Sequence, residues 1–143
     1  MKRKYKLMVG NLAEQIVCDK LRKDGYRILT RNFLTRQGEI DVIAFKNQTI
    51  HFIEVKSLRE GHAPFHPEES VTFRKMKTIL SVARSYLQML DTVKDIDTDY
   101  ITYRFDVAAI VYDISPYRII SFDYFEDYYR IDPLAVEREI YKK

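Results

Sequence analysis

A single cysteine, Cys18, in 143 residues rules out a disulfide within the chain, and a reducing, cytoplasmic setting is the expectation. Glycine and proline are also scarce, four of each, too few for a linker-dominated or low-complexity chain. Long apolar runs are missing: stretches such as residues 107–112 fall far short of the roughly 20 residues a membrane helix needs. The basic start at residues 1–6 is not followed by a continuous apolar segment, so no secretory signal is expected. Gly-rich phosphate loops, Ser-His-Asp arrangements and CxxC pairs do not occur either. What remains, at 46% hydrophobic, 13% aromatic and 31% charged, is the composition of one globular domain. A chain of this length buries roughly two-thirds of its unfolded surface.

Charge is present but unevenly placed. Residues 1–90 carry 17 Lys+Arg against 9 Asp+Glu, a net of +8, whereas residues 91–143 carry 7 against 12, a net of −5. The basic part is suited to a polyanion and the acidic part to something else, although scattered Lys and Arg also serve solubility.

Hydrophobic periodicity places the elements. Val9, Leu12, Ala13, Ile16, Val17 and Leu21 line one side of a helix over residues 6–23, ended by Asp24-Gly25. Cys18 falls away from that arc, with no His or Cys motif near it to activate a thiol. Three β-rich runs follow at 26–33, 39–45 and 49–58, the last two joined as a hairpin at Asn47-Gln48. A second helix over about 68–90 has Val71, Met76, Ile79, Val82, Ala83, Tyr86, Leu87 and Leu90 as its apolar arc. Two more strands, 102–112 and 118–125, are divided by Ser115-Pro116, and a short helix over 133–141 starts from Asp132 as N-cap. The order αβββαββ predicts an α/β fold, a mixed β-sheet flanked by α-helices.

The hairpin carries the chemistry. With Asn47 and Gln48 as the turn, Lys46 pairs with Thr49, Asp41 lies opposite Glu54, and Glu39 lies opposite Lys56. Period 2 puts these four on one face with Ile43, Phe45, Ile50 and Phe52, while Ile40, Val42, Ala44, Ile53 and Val55 take the other. Both faces therefore read as buried. Two carboxylates directly across an antiparallel pair cost about 0.2–1 kcal/mol, more where water is excluded. A divalent cation between Asp41 and Glu54 reverses that sign, and hard oxygen ligands suit Mg²⁺ or Mn²⁺. Lys56, two residues beyond Glu54, is placed to hold an attacking water or a phosphate oxygen, and phosphodiester hydrolysis needs those parts together.

A bare Glu-x-Lys occurs by chance in chains of this length, so other positions must add to it. Glu14 sits at the margin of the first helix's apolar arc, where a carboxylate either leans toward the sheet or stays solvated. Lys75 falls inside the buried arc of the second helix. It either snorkels to water or meets the site's carboxylates or a substrate phosphate. His62 and His66 lie in a proline-bearing loop, which fits phosphate contact or solvent exposure better than metal ligation. The aromatic and acidic run at 121–129 is too negative for a nucleic-acid platform and reads as an edge strand or subunit contact.

The stretches GEIDVIA at 38–44 and FIEVK at 52–56 resemble the signature of the YraN family of uncharacterised bacterial proteins. That family is similar to restriction-endonuclease-fold nucleases of the PD-(D/E)XK superfamily, archaeal Holliday junction resolvases in particular. Gly10, Glu14, Gly25, Arg31-Asn32, Ser70-Val71-Thr72, Lys75 and Arg104-Phe105-Asp106-Val107 also stand where the pattern expects them, over roughly residues 7–125. The resemblance implies Asp41 and Glu54 as metal ligands with the Val55 carbonyl as a third, and Lys56 as the catalytic lysine. It also implies Glu14 as the helix-one glutamate that completes such sites. Glu39 belongs to the motif as a second-metal ligand or as partner to Lys56, and Lys75, Arg31 and Arg59 are the candidate nucleic-acid contacts. Ser57-Leu58 stands where a Thr-Arg pair is commoner in the family. Residues 1–128 then form an endonuclease-like domain and residues 129–143 a C-terminal extension.

The expectation is an endonuclease that uses Mg²⁺ or Mn²⁺ to cut DNA, with branched or structured substrates favoured by family analogy. Paired cuts at a junction imply a homodimer. No membrane partner is expected. The rival readings are a nucleic-acid-binding or recombination accessory protein with the same fold and little cleavage, and a structural protein that docks a subunit through its C-terminal segment.

Overall fold

The computed structural model describes residues 2–61, 73–90, 101–114 and 117–130, together with single positions at 132, 134 and 138. The elements run α1 (Lys2–Lys23), β1 (Arg27–Leu34), β2 (Glu39–Lys46), β3 (Thr49–Arg59), α2 (Phe73–Leu90), β4 (Thr102–Ile114) and β5 (Tyr117–Phe125). This is the expected αβββαββ order. The strands form one mixed sheet in the order β1-β2-β3-β4-β5, antiparallel except for β3 and β4, which run parallel. A parallel neighbour cannot be reached by a tight turn, and the stretch between β3 and β4 contains α2.

Local chemistry sets the boundaries. Gly25, at φ 90°, ends α1: its N–H donates to Arg22 O at 3.1 Å and the Tyr26 N–H donates to Leu21 O at 2.9 Å. Those two bonds satisfy carbonyls the last turn would leave bare. Asn47 and Gln48 both have positive φ, 51° and 58°, the twist a two-residue hairpin turn requires. At the start of β2 a Cβ on Gly38 would lie 3.0 Å from Thr78 Cγ2, so glycine permits the close approach of that strand to α2.

One helix covers each face of the sheet. Val17, Cys18 and Leu21 of α1 pack on Val42, Ala44, Ile53, Ala108 and Ile110. Val82, Ala83, Tyr86, Leu87 and Leu90 of α2 pack on Ile43, Ile50, Phe52, Phe105 and Val107. Both faces of the central strands are buried, hence their near-continuous apolar sequences. Cys18 corrects the sequence expectation: it is fully buried, while Leu12 is 40% exposed. The buried stripe of α1 is rotated toward Glu14 and Cys18, because cysteine packs as a small apolar residue and Glu14 is drawn toward Arg31.

The period-2 pattern also breaks near Asp41, apart from the register shifts at Ile28–Thr30 and Val111–Tyr112. Val42 packs under α1 but Ile40 packs with the α2 cluster, and on β1 Arg31 meets Glu14 of α1 while Phe33 stacks edge-on against Tyr86 of α2. Residues two apart on a strand should share a face. Here the pairs Arg31–Val42 and Phe33–Ile40 flank Asn32 and Asp41, and Asn32 sits at φ 53°. Asparagine tolerates this left-handed conformation, which turns β1 over between Arg31 and Phe33, and Ile40, paired with Phe33, lies on the same side as Phe33. Ile40 therefore lies on the α2 side, not the α1 side expected from alternation.

His62, His66, Ser70, Val71 and Thr72, the first turn expected for the second helix, and Ser115-Pro116 lie outside the described residues. So does most of the expected helix at 133–141, although the Leu134 N–H donates to Asp132 Oδ1 at 3.0 Å, as an N-cap does. No helix among the described residues is long and apolar enough to cross a membrane.

Candidate active site

The hairpin register runs as expected from Lys46–Thr49 to Val42–Ile53, and the regular pairing goes no further. At the next step the Val55 N–H donates to Asp41 Oδ2 at 2.8 Å, so a side-chain oxygen stands in for a ladder acceptor. Asp41 and Glu54 thus come to the same end of the sheet but do not form a plain cross-strand pair.

A cavity of about 290 Å³ opens there, lined by Glu39, Asp41 and Glu54 from the hairpin, Lys75 and Thr78 from α2, and Tyr129 from the turn after β5. Phe52, Phe105 and Ile79 form its apolar wall. Such a cavity has room for several water molecules or a hydrated cation.

The two carboxylates are electrostatic opposites. Burial pushes the Asp41 carboxyl up to about 6; the Val55 bond opposes this, and the charges of Glu14, Glu39 and Glu54 add to it. Glu54 is held below the ordinary carboxylate range. Burial alone would raise it, but hydrogen bonds from Lys56 and Tyr129 and the charges of Lys56 and Lys75 outweigh that effect. Lys56 Nζ lies 2.9 Å from Glu54 Oε1, Lys75 Nζ lies 3.2 Å from both oxygens, and the Tyr129 hydroxyl donates a short bond to Oε2. Lys75 also sits 5.6 Å above the Tyr129 ring.

Glu14 approaches from α1. It is 9% exposed, and its buried Oε2 accepts no hydrogen bond; Arg31 Nη2 stands 3.6 Å away, outside bonding distance. A buried carboxylate oxygen left in this condition costs more than an ordinary lost bond, and a cation relieves it. Glu14 and Asp41 thus supply hard oxygen donors with excess negative charge, the composition a divalent ion selects. Among the described residues, however, no three His, Cys, Asp or Glu side chains are gathered closely enough to hold an ion, and Glu54 is turned to its lysines and Tyr129.

Arg31 is engaged by Glu14 and donates to Gln15 Oε1 at 2.9 Å, so it orders the helix against the strand. Arg59 is exposed at the end of β3, and Glu39 is exposed at the cavity rim. Lys75 meets Glu54, the sharper of its two sequence readings.

The sequence of residues 13–110 matches the profile described as uncharacterised protein family UPF0102. The chain belongs to that family. It is 47% identical over 107 residues to a UPF0102 protein of Chlorobium phaeobacteroides, covering 73% of this chain and 76% of the relative. A UPF0102 protein of Clostridium perfringens is 38% identical over 131 residues, covering 90% of this chain and 99% of its own length. One from Alkaliphilus oremlandii is 41% identical over 102 residues, 71% of this chain and 83% of the relative.

The roles of two groups in this UPF0102 chain were not signalled by motif reasoning, although Asp106 stands in the family pattern. Tyr129, the first residue of the expected C-terminal extension, is 5% exposed and touches Glu54 across 75 positions of sequence. On the opposite face of the sheet, His51 Nδ1–H donates to Asp106 Oδ2 at 2.6 Å, and the Tyr124 hydroxyl donates to the same oxygen. The available signals were a histidine and an aspartate at inward positions of apolar strands, and tyrosines at 124 and 129.

Proposed function

We propose that this protein is a metal-dependent endonuclease that hydrolyses phosphodiester bonds in DNA, with branched or structured substrates favoured. The observation that carries the reading is a pair of buried carboxylates, Asp41 on the wall of the cavity and Glu14 with one oxygen that accepts no hydrogen bond, beside the ammonium groups that meet Glu54. Glu14, Asp41 and Glu54, with the Val55 carbonyl, are the residues to hold Mg²⁺ or Mn²⁺. When bound, the ion supplies polarisation of the phosphate. Lys56 and Lys75 place two ammonium groups at the cavity, where they orient a phosphate and stabilise the charge that develops on its oxygens. Arg59 extends the positive charge along β3, and Glu39 at the rim serves a second ion or Lys56. Paired cuts across a junction need a two-fold dimer.

One observation favours a second reading, a nucleic-acid-binding protein that cleaves little: Glu54 is fully engaged by donors of its own chain. A nicking assay on branched and single-stranded DNA separates the two. The endonuclease cuts with Mn²⁺ and stops with EDTA, and Asp41→Asn and Lys56→Ala each lose at least about 100-fold in cutting while still binding. Salt-sensitive binding with no cutting under any metal rejects the enzyme and leaves the binding protein.

A further inference from the structure

The turn after β5 is built from both faces of the sheet. Asp127 and Arg130 have positive φ, 56° and 46°, and the Arg130 N–H closes the turn on Asp127 O at 3.1 Å. Two consecutive β4 residues pin it: the Tyr129 N–H donates to Phe105 O at 3.2 Å, and the Asp127 N–H donates to Asp106 Oδ1 at 2.7 Å. Asp106 is fully buried, and its other oxygen is occupied by His51 and Tyr124. The carboxylate on the α1 face thus fixes the turn whose tyrosine reaches Glu54 on the α2 face.

We infer that this turn is a built-in lock on the acid site: the Tyr129 hydroxyl, set in place by Asp106, holds Glu54 turned toward Lys56 and Lys75, and a divalent cation must displace it to use that carboxylate. The inference rests on the reading that the site takes a divalent cation, and it assigns Tyr129 and Asp106 as positioning residues. A carboxylate has about four acceptor sites. Lys56, both contacts of Lys75, and Tyr129 occupy that number, so an ion cannot gain Glu54 without a donor leaving. Tyr129 is the donor that carries no charge, and its hydroxyl is the only part of it that Tyr129→Phe removes while the ring stays against Lys75.

The test is calorimetric titration of Mn²⁺ into the full chain, with no substrate and no turnover. Tyr129→Phe is expected to tighten Mn²⁺ about tenfold, the size of a hydrogen bond to a charged group. Asp106→Asn is expected to tighten it in the same direction by about threefold, and the double variant to match Tyr129→Phe alone. A merely structural Asp106 would lower the melting temperature and leave Mn²⁺ affinity at the wild-type value, which overturns its part in the lock. Should Asp106→Asn not fold, Tyr124→Phe, which removes one bond to the same carboxylate and keeps the packing, takes its place with the same expected direction. Equal or weaker Mn²⁺ binding by Tyr129→Phe overturns the lock while leaving the cation site standing. Absence of binding heat from every protein overturns both.

Discussion

Asp106 and Glu54 stand on neighbouring parallel strands and face opposite sides of one sheet. Each accepts a short bond from a tyrosine hydroxyl and faces a basic side chain, His51 in one case and two lysines in the other. They differ in access. Asp106 has no exposed surface and every contact is internal, whereas Glu54 opens on the cavity and its lysines are 36% and 32% exposed along their side chains. The same pairing chemistry is structural where water is sealed out and exchangeable where water enters. A buried charge deprived of partners has nowhere to turn, while an ammonium at a cavity mouth is re-solvated at small cost.

That contrast breaks most sharply at Asp106. Asp106→Ala leaves His51, the Tyr124 hydroxyl and the Asp127 N–H without their acceptor, and should destabilise the fold by about 3–5 kcal/mol in urea denaturation. A loss under about 1 kcal/mol would mean that the α1-face network is as exchangeable as the cavity.

Asp41 gives the next largest effect, of the opposite sign. Its folded pKa of about 6 lies above the ordinary 3.8, so between those values the folded state binds more protons than the unfolded one. Its contribution to stability is therefore lost as pH rises through this window. In EDTA, Asp41→Asn, which keeps an acceptor for the Val55 N–H, should stabilise the protein by on the order of 1 kcal/mol at pH 8 and little at pH 4. Melting curves at the two pH values check this, and equal shifts at both would remove the surplus negative charge from the account.

Glu54→Gln should have the smallest effect on the fold, a loss of about 1 kcal/mol or less, because its partners are partly solvated. The same change should remove most Mn²⁺ affinity in calorimetry. Strong destabilisation without a change in ion binding would invert the comparison and make Glu54 the structural carboxylate.

How far the sequence discloses this arrangement depends on distance along the chain. The element order, the two-residue turn at Asn47-Gln48 and the register to Val42–Ile53 are local properties, fixed by hydrophobic patterning and turn chemistry. Lys75 stands out because a lysine inside an apolar arc needs a partner. The change of face at Asp41 escapes such reading: alternation continues through it on paper, whereas Asn32 on the neighbouring strand is left-handed and Ile40 packs on the other face. The rotation of α1 that buries Cys18 depends on an attraction between Glu14 and Arg31, which belong to different elements. Tyr129 and Asp106 are the hardest to see, since their roles exist only once β4 and β5 have paired.

Those long spans also set an order of assembly. Residues 39–59 can close as a hairpin soon after they are made, but Glu54 meets Lys75 only after 21 further positions and Tyr129 only after 75. Contacts of such separation are the slow ones to form. During synthesis the acidic hairpin therefore spends its early life without its tyrosine, and the finished arrangement arrives with one of the last described turns of the chain. A protein cut before that turn keeps every residue of the family motif, yet it cannot make the contact that restrains Glu54.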